Sequence, residues 1–134
     1  MLTLDKIYHA AFVLKDVARK TDLIAAPRLC PGTDLYLKTE NLQVTGSFKL
    51  RGAYYKISTL TEEERGKGLI TASAGNHAQG VAYAAKKFGV RAVIVMPTTT
   101  PLIKVNRTKS YGAEVVLKGD VYDDACEYAK ELEA

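Results

Sequence analysis

Residues 68–96 read GLITASAGNHAQGVAYAAKKFGVRAVIVM, and this stretch decides the fold. Gly68-Leu69-Ile70-Thr71-Ala72 is short and mostly apolar, which suits a strand. Asn76 to Phe88 places His77, Val81, Ala84, Ala85 and Phe88 on one side of a helix. Gly89 then stands where a helix takes its left-handed C′ residue. Ala92-Val93-Ile94-Val95-Met96 is unbroken apolar sequence, the pattern of a strand buried on both faces in a parallel sheet. The unit is strand, helix, strand, joined by short loops.

The same alternation continues on both sides. Downstream, Thr100-Pro101 offers an N-cap and N1 proline for a helix that Gly112 closes. A strand over Ala113–Leu117 follows, then a helix over Val121–Leu132 with Val121, Ala125, Tyr128, Ala129 and Leu132 as its inner stripe. Upstream, Ile7, Ala10, Ala11, Leu14, Val17 and Ala18 predict a helix over Thr3–Lys20. Ala26-Pro27 and Pro31-Gly32 punctuate a loop, and Leu35–Lys38 is a short strand. Ser47 is a plausible N-cap for a helix starting about Phe48, with Leu50, Ala53, Tyr54, Ile57 and Leu60 on one face. Thr61 to Glu64 has the form of a capping box. Repeated strand–helix pairs give an α/β fold, a three-layer parallel sheet with right-handed crossovers. No strand follows the last helix, so the alternation stops in mid-stride, as a truncated domain would.

Composition removes several classes of function. The chain has 134 residues, 47% hydrophobic and 25% charged, which is ordinary for a globular domain. No run approaches the ~18 apolar residues of a membrane span. Met1-Leu2-Thr3-Leu4-Asp5 lacks the basic and apolar regions of a signal peptide. The 19 Lys and Arg against 15 Asp and Glu give a net charge of +4. These bases are scattered, which speaks against a nucleic-acid partner; Lys104, Arg107 and Lys109 fall at helical spacing and read as a solvated face. Cys30 and Cys126 read as reduced thiols in a cytoplasmic protein. With only His9 and His77, no His/Cys metal site can be assembled.

Parallel α/β sheets bind ligands at the carboxyl ends of their strands. Two loops placed there are unusual. Thr45-Gly46-Ser47-Phe48-Lys49-Leu50-Arg51-Gly52-Ala53 sets Lys49 in the first turn of a helix. The helix dipole disfavours a cation there by about 0.3–1 kcal/mol. The same field favours the neutral amine, which suits a nucleophilic lysine; a solvated lysine is the plainer reading. Ser73-Ala74-Gly75-Asn76-His77-Ala78-Gln79-Gly80 runs from a strand into a helix, where small residues let backbone amides meet an anion. A plain cap by Asn76 and a partly buried His77 are the alternatives. Gly75 and Gly80 have Walker A spacing, but Val81-Ala82 stand where Lys-Ser/Thr is required. There is no G-x-G-x-x-G either, so nucleoside triphosphate and dinucleotide sites are disfavoured. A flavodoxin-like nucleotide binder is a weaker alternative on the same grounds.

Taken together, Ser47–Ala53 and Ser73–Gly80 resemble the serine/threonine dehydratase family, pyridoxal-phosphate (PLP) enzymes of fold type II. Lys38-Thr39-Glu40-Asn41-Leu42-Gln43, Val95-Met96-Pro97 and Tyr111-Gly112-Ala113-Glu114-Val115 are similar too, and the likeness runs from about Asp5 to the last residue. Within that family the threonine dehydratases (threonine ammonia-lyases) are nearest, and serine racemase is a near relative.

The resemblance implies roles. Lys49 would bind PLP covalently and shuttle the substrate's Cα proton. Phe48 would lie against the cofactor ring, and Asn76 would bond its 3′ oxygen. Ser73, Ala74, Gly75, Asn76 and His77 would hold the carboxylate of threonine or serine. The implied reaction is β-elimination of water, giving a 2-oxo acid and ammonia, in amino-acid metabolism such as isoleucine biosynthesis. A homo-oligomer is implied for the full-length enzyme.

The family's glycine-rich phosphate loop is missing here, since no two glycines are adjacent. The chain is therefore expected to be the N-terminal part of such an enzyme. Residues 1–50 would supply the opening helix, first strand and lysine segment, and residues 51–134 most of the small mobile domain. The remainder of the larger domain would be absent, and the isolated chain a non-catalytic α/β fragment.

Overall fold

The computed structural model describes residues 1–133. Its centre is a parallel sheet of β3 (Leu69–Ala72), β4 (Ala92–Met96) and β5 (Glu114–Leu117), in the order β3-β4-β5. Leu69 lies opposite Ala92, and Val93 opposite Glu114. Strand side chains alternate between faces, so the unbroken apolar run of β4 fills two cores at once. On one face Ala92, Ile94 and Met96 meet Ala78, Ala82 and Ala85 of α4 (Asn76–Phe88) and Val105 of α5 (Leu102–Ser110). On the other, Val95 meets Ala125 and Ala129 of α6 (Tyr122–Glu133). Ile94, Val95 and Met96 are fully buried. The three-layer α/β architecture is the one the sequence predicts.

Alanines line the inner face of α4, and they let it lie close to the sheet. Its outer side carries α2 (Lys49–Ser58), which buries Leu50, Ala53 and Ile57. Between α2 and β3, the short α3 (Glu62–Gly66) is started by the expected capping box: Thr61 and Glu64 satisfy each other's backbone amides. Gly89 ends α4 at φ 66°, a conformation that glycine adopts without steric penalty.

The first fifty residues differ from expectation. α1 spans Leu4–Leu14 rather than reaching Lys20, and of its apolar stripe only Leu14 is buried. A strand not foreseen, β1 (Leu23–Ala25), pairs antiparallel with β2 (Tyr36–Lys38). This ribbon is separate from the parallel sheet, so the loop that follows β2 is not at the carboxyl end of a parallel strand. Thr100 does not cap α5: its hydroxyl is buried without a hydrogen-bond partner, and Pro101 occupies the cap position. Val121, which lies just before α6, and Leu132 within it are exposed although they belong to the expected inner stripe. Leu132 instead borders a groove of about 980 Å³, along with Tyr128, Ile70 of the edge strand β3, Ile57 of α2 and Leu60 just beyond it. No helix of the described residues is long and apolar enough to cross a membrane.

Candidate functional site

The lysine segment and the Ser73–His77 loop come together because α4 packs directly on α2. Gly80 makes that packing possible. A Cβ at residue 80 would stand 3.0 Å from the carbonyl carbon of Lys49 and 3.2 Å from the amide of Leu50. No side chain separates the two helices at that point. Lys49 is therefore held by backbone contact with the first turns of α4.

Lys49 is the first residue of α2. The N-cap position is Phe48 rather than the expected Ser47, whose hydroxyl still accepts the Lys49 amide at 3.3 Å. The Lys49 ammonium lies 5.4 Å from the centre of the Phe48 ring, within cation–π range. Both residues are exposed. Among the described residues no acid forms an ion pair with Lys49.

At the head of α4 the N-cap position is Gly75, not Asn76, and Ser73 just before it supplies the hydrogen bonds. The Ser73 hydroxyl oxygen accepts the amides of Gly75 at 3.3 Å and Ala78 at 3.2 Å. Accepting two bonds leaves the Ser73 O–H free to donate. The amides of Asn76 and His77 belong to the helix's first turn, whose donors have no intrahelical partner, and no backbone carbonyl takes them. Asn76 and His77 are exposed, whereas Ser73, Ala74 and Gly75 are half-buried. Packing around the His77 ring, and next the positive charge of Lys49, hold its pKa below the usual histidine range; water limits that shift because the residue as a whole is exposed. His77 is neutral at pH 7.

Three groups that the sequence reading did not single out as positioning residues fix the lysine segment from behind. Glu40 takes Arg51 in a two-point ion pair at 2.8 and 2.9 Å, and its carboxylate also accepts the Thr21 hydroxyl. The Arg51 guanidinium and these bonds hold the Glu40 pKa down at about 2. Gln43, 3% exposed, exchanges hydrogen bonds with the backbone of Arg19. Position in the segments 38–43, for Glu40 and Gln43, and 47–53, for Arg51, was their only signal. The large groove meets the site only at His77. The polar groups that converge do so at the heads of α2 and α4, so the groove is not where chemistry is organised.

The geometry thus offers an unpaired amine, an aromatic face, and free amide donors beside a serine hydroxyl. A family profile described as "Pyridoxal-phosphate dependent enzyme" matches residues 14–134. The chain belongs to this family. Family members with similar sequence include an L-threonine ammonia-lyase of Thermotoga maritima, 51% identical over 99% of the chain and 34% of the relative. Another is the L-threonine dehydratase catabolic TdcB of Staphylococcus aureus, 48% identical over 98% of the chain and 39% of the relative. Among solved structures of the family, a processed threonine deaminase from Solanum lycopersicum superposes with a TM-score of 0.83 at 44% identity, covering 98% of this chain and 38% of that one. Maize serine racemase superposes at 0.88 with 33% identity, covering 97% and 40%. The chain spans between a third and two-fifths of the length of these curated relatives.

Proposed function

We propose that this chain forms the lysine-bearing side of the active site of a PLP-dependent threonine/serine dehydratase. The observation that carries the reading is the backbone contact at Gly80, which sets the peptide of Lys49 directly against α4, the helix whose head carries the free amides. The residues fit the reactive end of PLP: Lys49 can hold it covalently, Phe48 offers a ring face, and Asn76 offers an exposed amide for the 3′ oxygen. PLP supplies an electron sink for the bond broken at Cα.

The chain's own groups do the rest. The amides of Asn76 and His77 and the free O–H of Ser73 hold the substrate carboxylate, with the backbone of Ala74 and Gly75 shaping the cradle. Holding the carboxylate there fixes the direction of the Cα–H bond. The Lys49 amine takes that proton, the β-hydroxyl leaves as water, and a water then hydrolyses the resulting enamine to the 2-oxo acid and ammonia. Neutral His77 can donate or accept at this end without adding charge.

The phosphate-holding half belongs to the rest of the whole protein, so the isolated chain is non-catalytic. Residues 1–50 then carry the ribbon and lysine segment, and residues 51–134 most of the small mobile domain. The unpaired edge of β3 supports this, since the sheet has room for a further strand beside it. A cytoplasmic homo-oligomer acting on a free amino acid completes the reading. Relatives named catabolic favour amino-acid breakdown over isoleucine biosynthesis. The superposition with maize serine racemase favours racemisation as a second reading, and D-serine formation would reveal it.

Borohydride reduction of the PLP-loaded whole protein, followed by peptide mass mapping, tests the assignment. The pyridoxyl mass is expected on Lys49 and lost in Lys49→Ala. A label on any other lysine would sink the proposal.

A further inference from the structure

Resting on the reading just given, we propose that Lys104 is a carboxylate-binding residue of this site, reinforced by Arg107. Both stand on α5, three residues apart and so on one face. The Lys104 ammonium lies against the bare face of Gly75, 3.9 Å from where a Cβ would be. The Arg107 guanidinium lies against Gly46, 3.6 and 3.7 Å from the corresponding point. One helix face thus reaches both loops that carry the chemistry. The helical spacing suggested a solvated surface, and Lys104, Arg107 and Lys109 are exposed as expected; the first two also reach the two loops.

The charge distribution says what they are for. Helices α1, α3 and α6 have acids in their first turns, as the dipole favours. Helices α2, α4 and α5 have none there, and α2 and α5 carry Lys49 and Lys104 instead. These are the three helices whose heads meet at the site. No acid forms an ion pair with Lys49, Lys104 or Arg107 among the described residues. Positive partial charges and cations therefore gather with nothing of opposite sign, an arrangement that attracts an anion. Gly75 adjoins the free amides of Asn76 and His77, so the anion that completes the charge balance at Lys104 is the substrate's carboxylate. Arg107, over Gly46, acts on it from farther away.

The test uses the PLP-loaded whole protein. In Lys104→Met, the KM for threonine is expected to rise about tenfold, the effect of losing one charged hydrogen bond, with kcat within twofold. Calorimetric binding of propanoate, an unreactive carboxylate, is expected to weaken by the same factor. Binding of 1-amino-2-propanol, which lacks the carboxylate, is expected to stay unchanged. Lys104→Arg restores most of the propanoate affinity, and Arg107→Met weakens it only two- to threefold. Unchanged propanoate binding in Lys104→Met, or equal weakening of both probes, would overturn the assignment. If that variant does not fold, Lys104→Gln is read by the same two probes. The earlier reading stands or falls on the Lys49 peptide label, which Lys104 variants leave in place.

Discussion

The layer from β3 to α6 closes over its own core, whereas within the described residues little covers the apolar side chains of α1 and the β1–β2 ribbon. Ile94, Val95 and Met96 are fully buried, while Phe12 is 78% and Leu23 63% exposed. The residue types are alike in both regions; what differs is whether a second apolar surface faces them. Burial of apolar area is the main stabilising term, so the first region holds itself together and the second is held mostly by polar bonds. Those bonds converge on Glu40, Arg51 and Gln43, which tie the ribbon to the helix bearing Lys49.

Four substitutions bear on this contrast, beginning with the largest effect. Ile94→Ala is expected to cost about 2–5 kcal/mol in chemical denaturation, whereas Phe12→Ala stays within about 0.5 kcal/mol. Equal costs would erase the distinction between the regions. Glu40→Gln removes the charged partner of Arg51 and is expected to cost about 1.5–3 kcal/mol at neutral pH. Its pH dependence gives the sign. The folded pKa of about 2 lies below the usual 4.5, so the contribution is fully present above pH 4.5 and is lost as pH falls towards 2. Acid denaturation of the two proteins should therefore converge near pH 2; a constant gap would show that the ion pair does not join the two regions. Gly80→Ala is expected to cost about 1–3 kcal/mol through overpacking against the Lys49 peptide. In the whole protein it should also shift the absorbance of bound PLP, and a silent Gly80→Ala would mean the α2–α4 contact has slack.

The contrast also explains what could be read from the sequence. β4 and α4 match the expected limits at both ends, because a strand buried on two faces and a helix ended by Gly89 leave strong local patterns. β1 has three residues, all exposed, so no alternation marks it; only its pairing with β2 makes it a strand. The stripe of α1 is real, but periodicity says where apolar residues point and not whether anything covers them. At the site, Lys49 stood out because it breaks a helix-start preference, and the 73–77 loop because its small residues open a helix head to an anion. Gly75 rather than Asn76 takes the cap position, and the Ser73 hydroxyl reaches two amides at once. Lys104 and Arg107 were illegible, since the reach of a long side chain to a loop far away in sequence leaves no periodic trace.

The contact at Gly80 has one more consequence. Because backbone meets backbone there, the helix that starts at Lys49 and the helix that starts at Asn76 are geared together like two teeth on one jaw. Neither can drift without dragging the other. On the function proposed above, the direction from which a proton is taken would then be set before substrate arrives, and any motion that admits it would swing this jaw as a single piece.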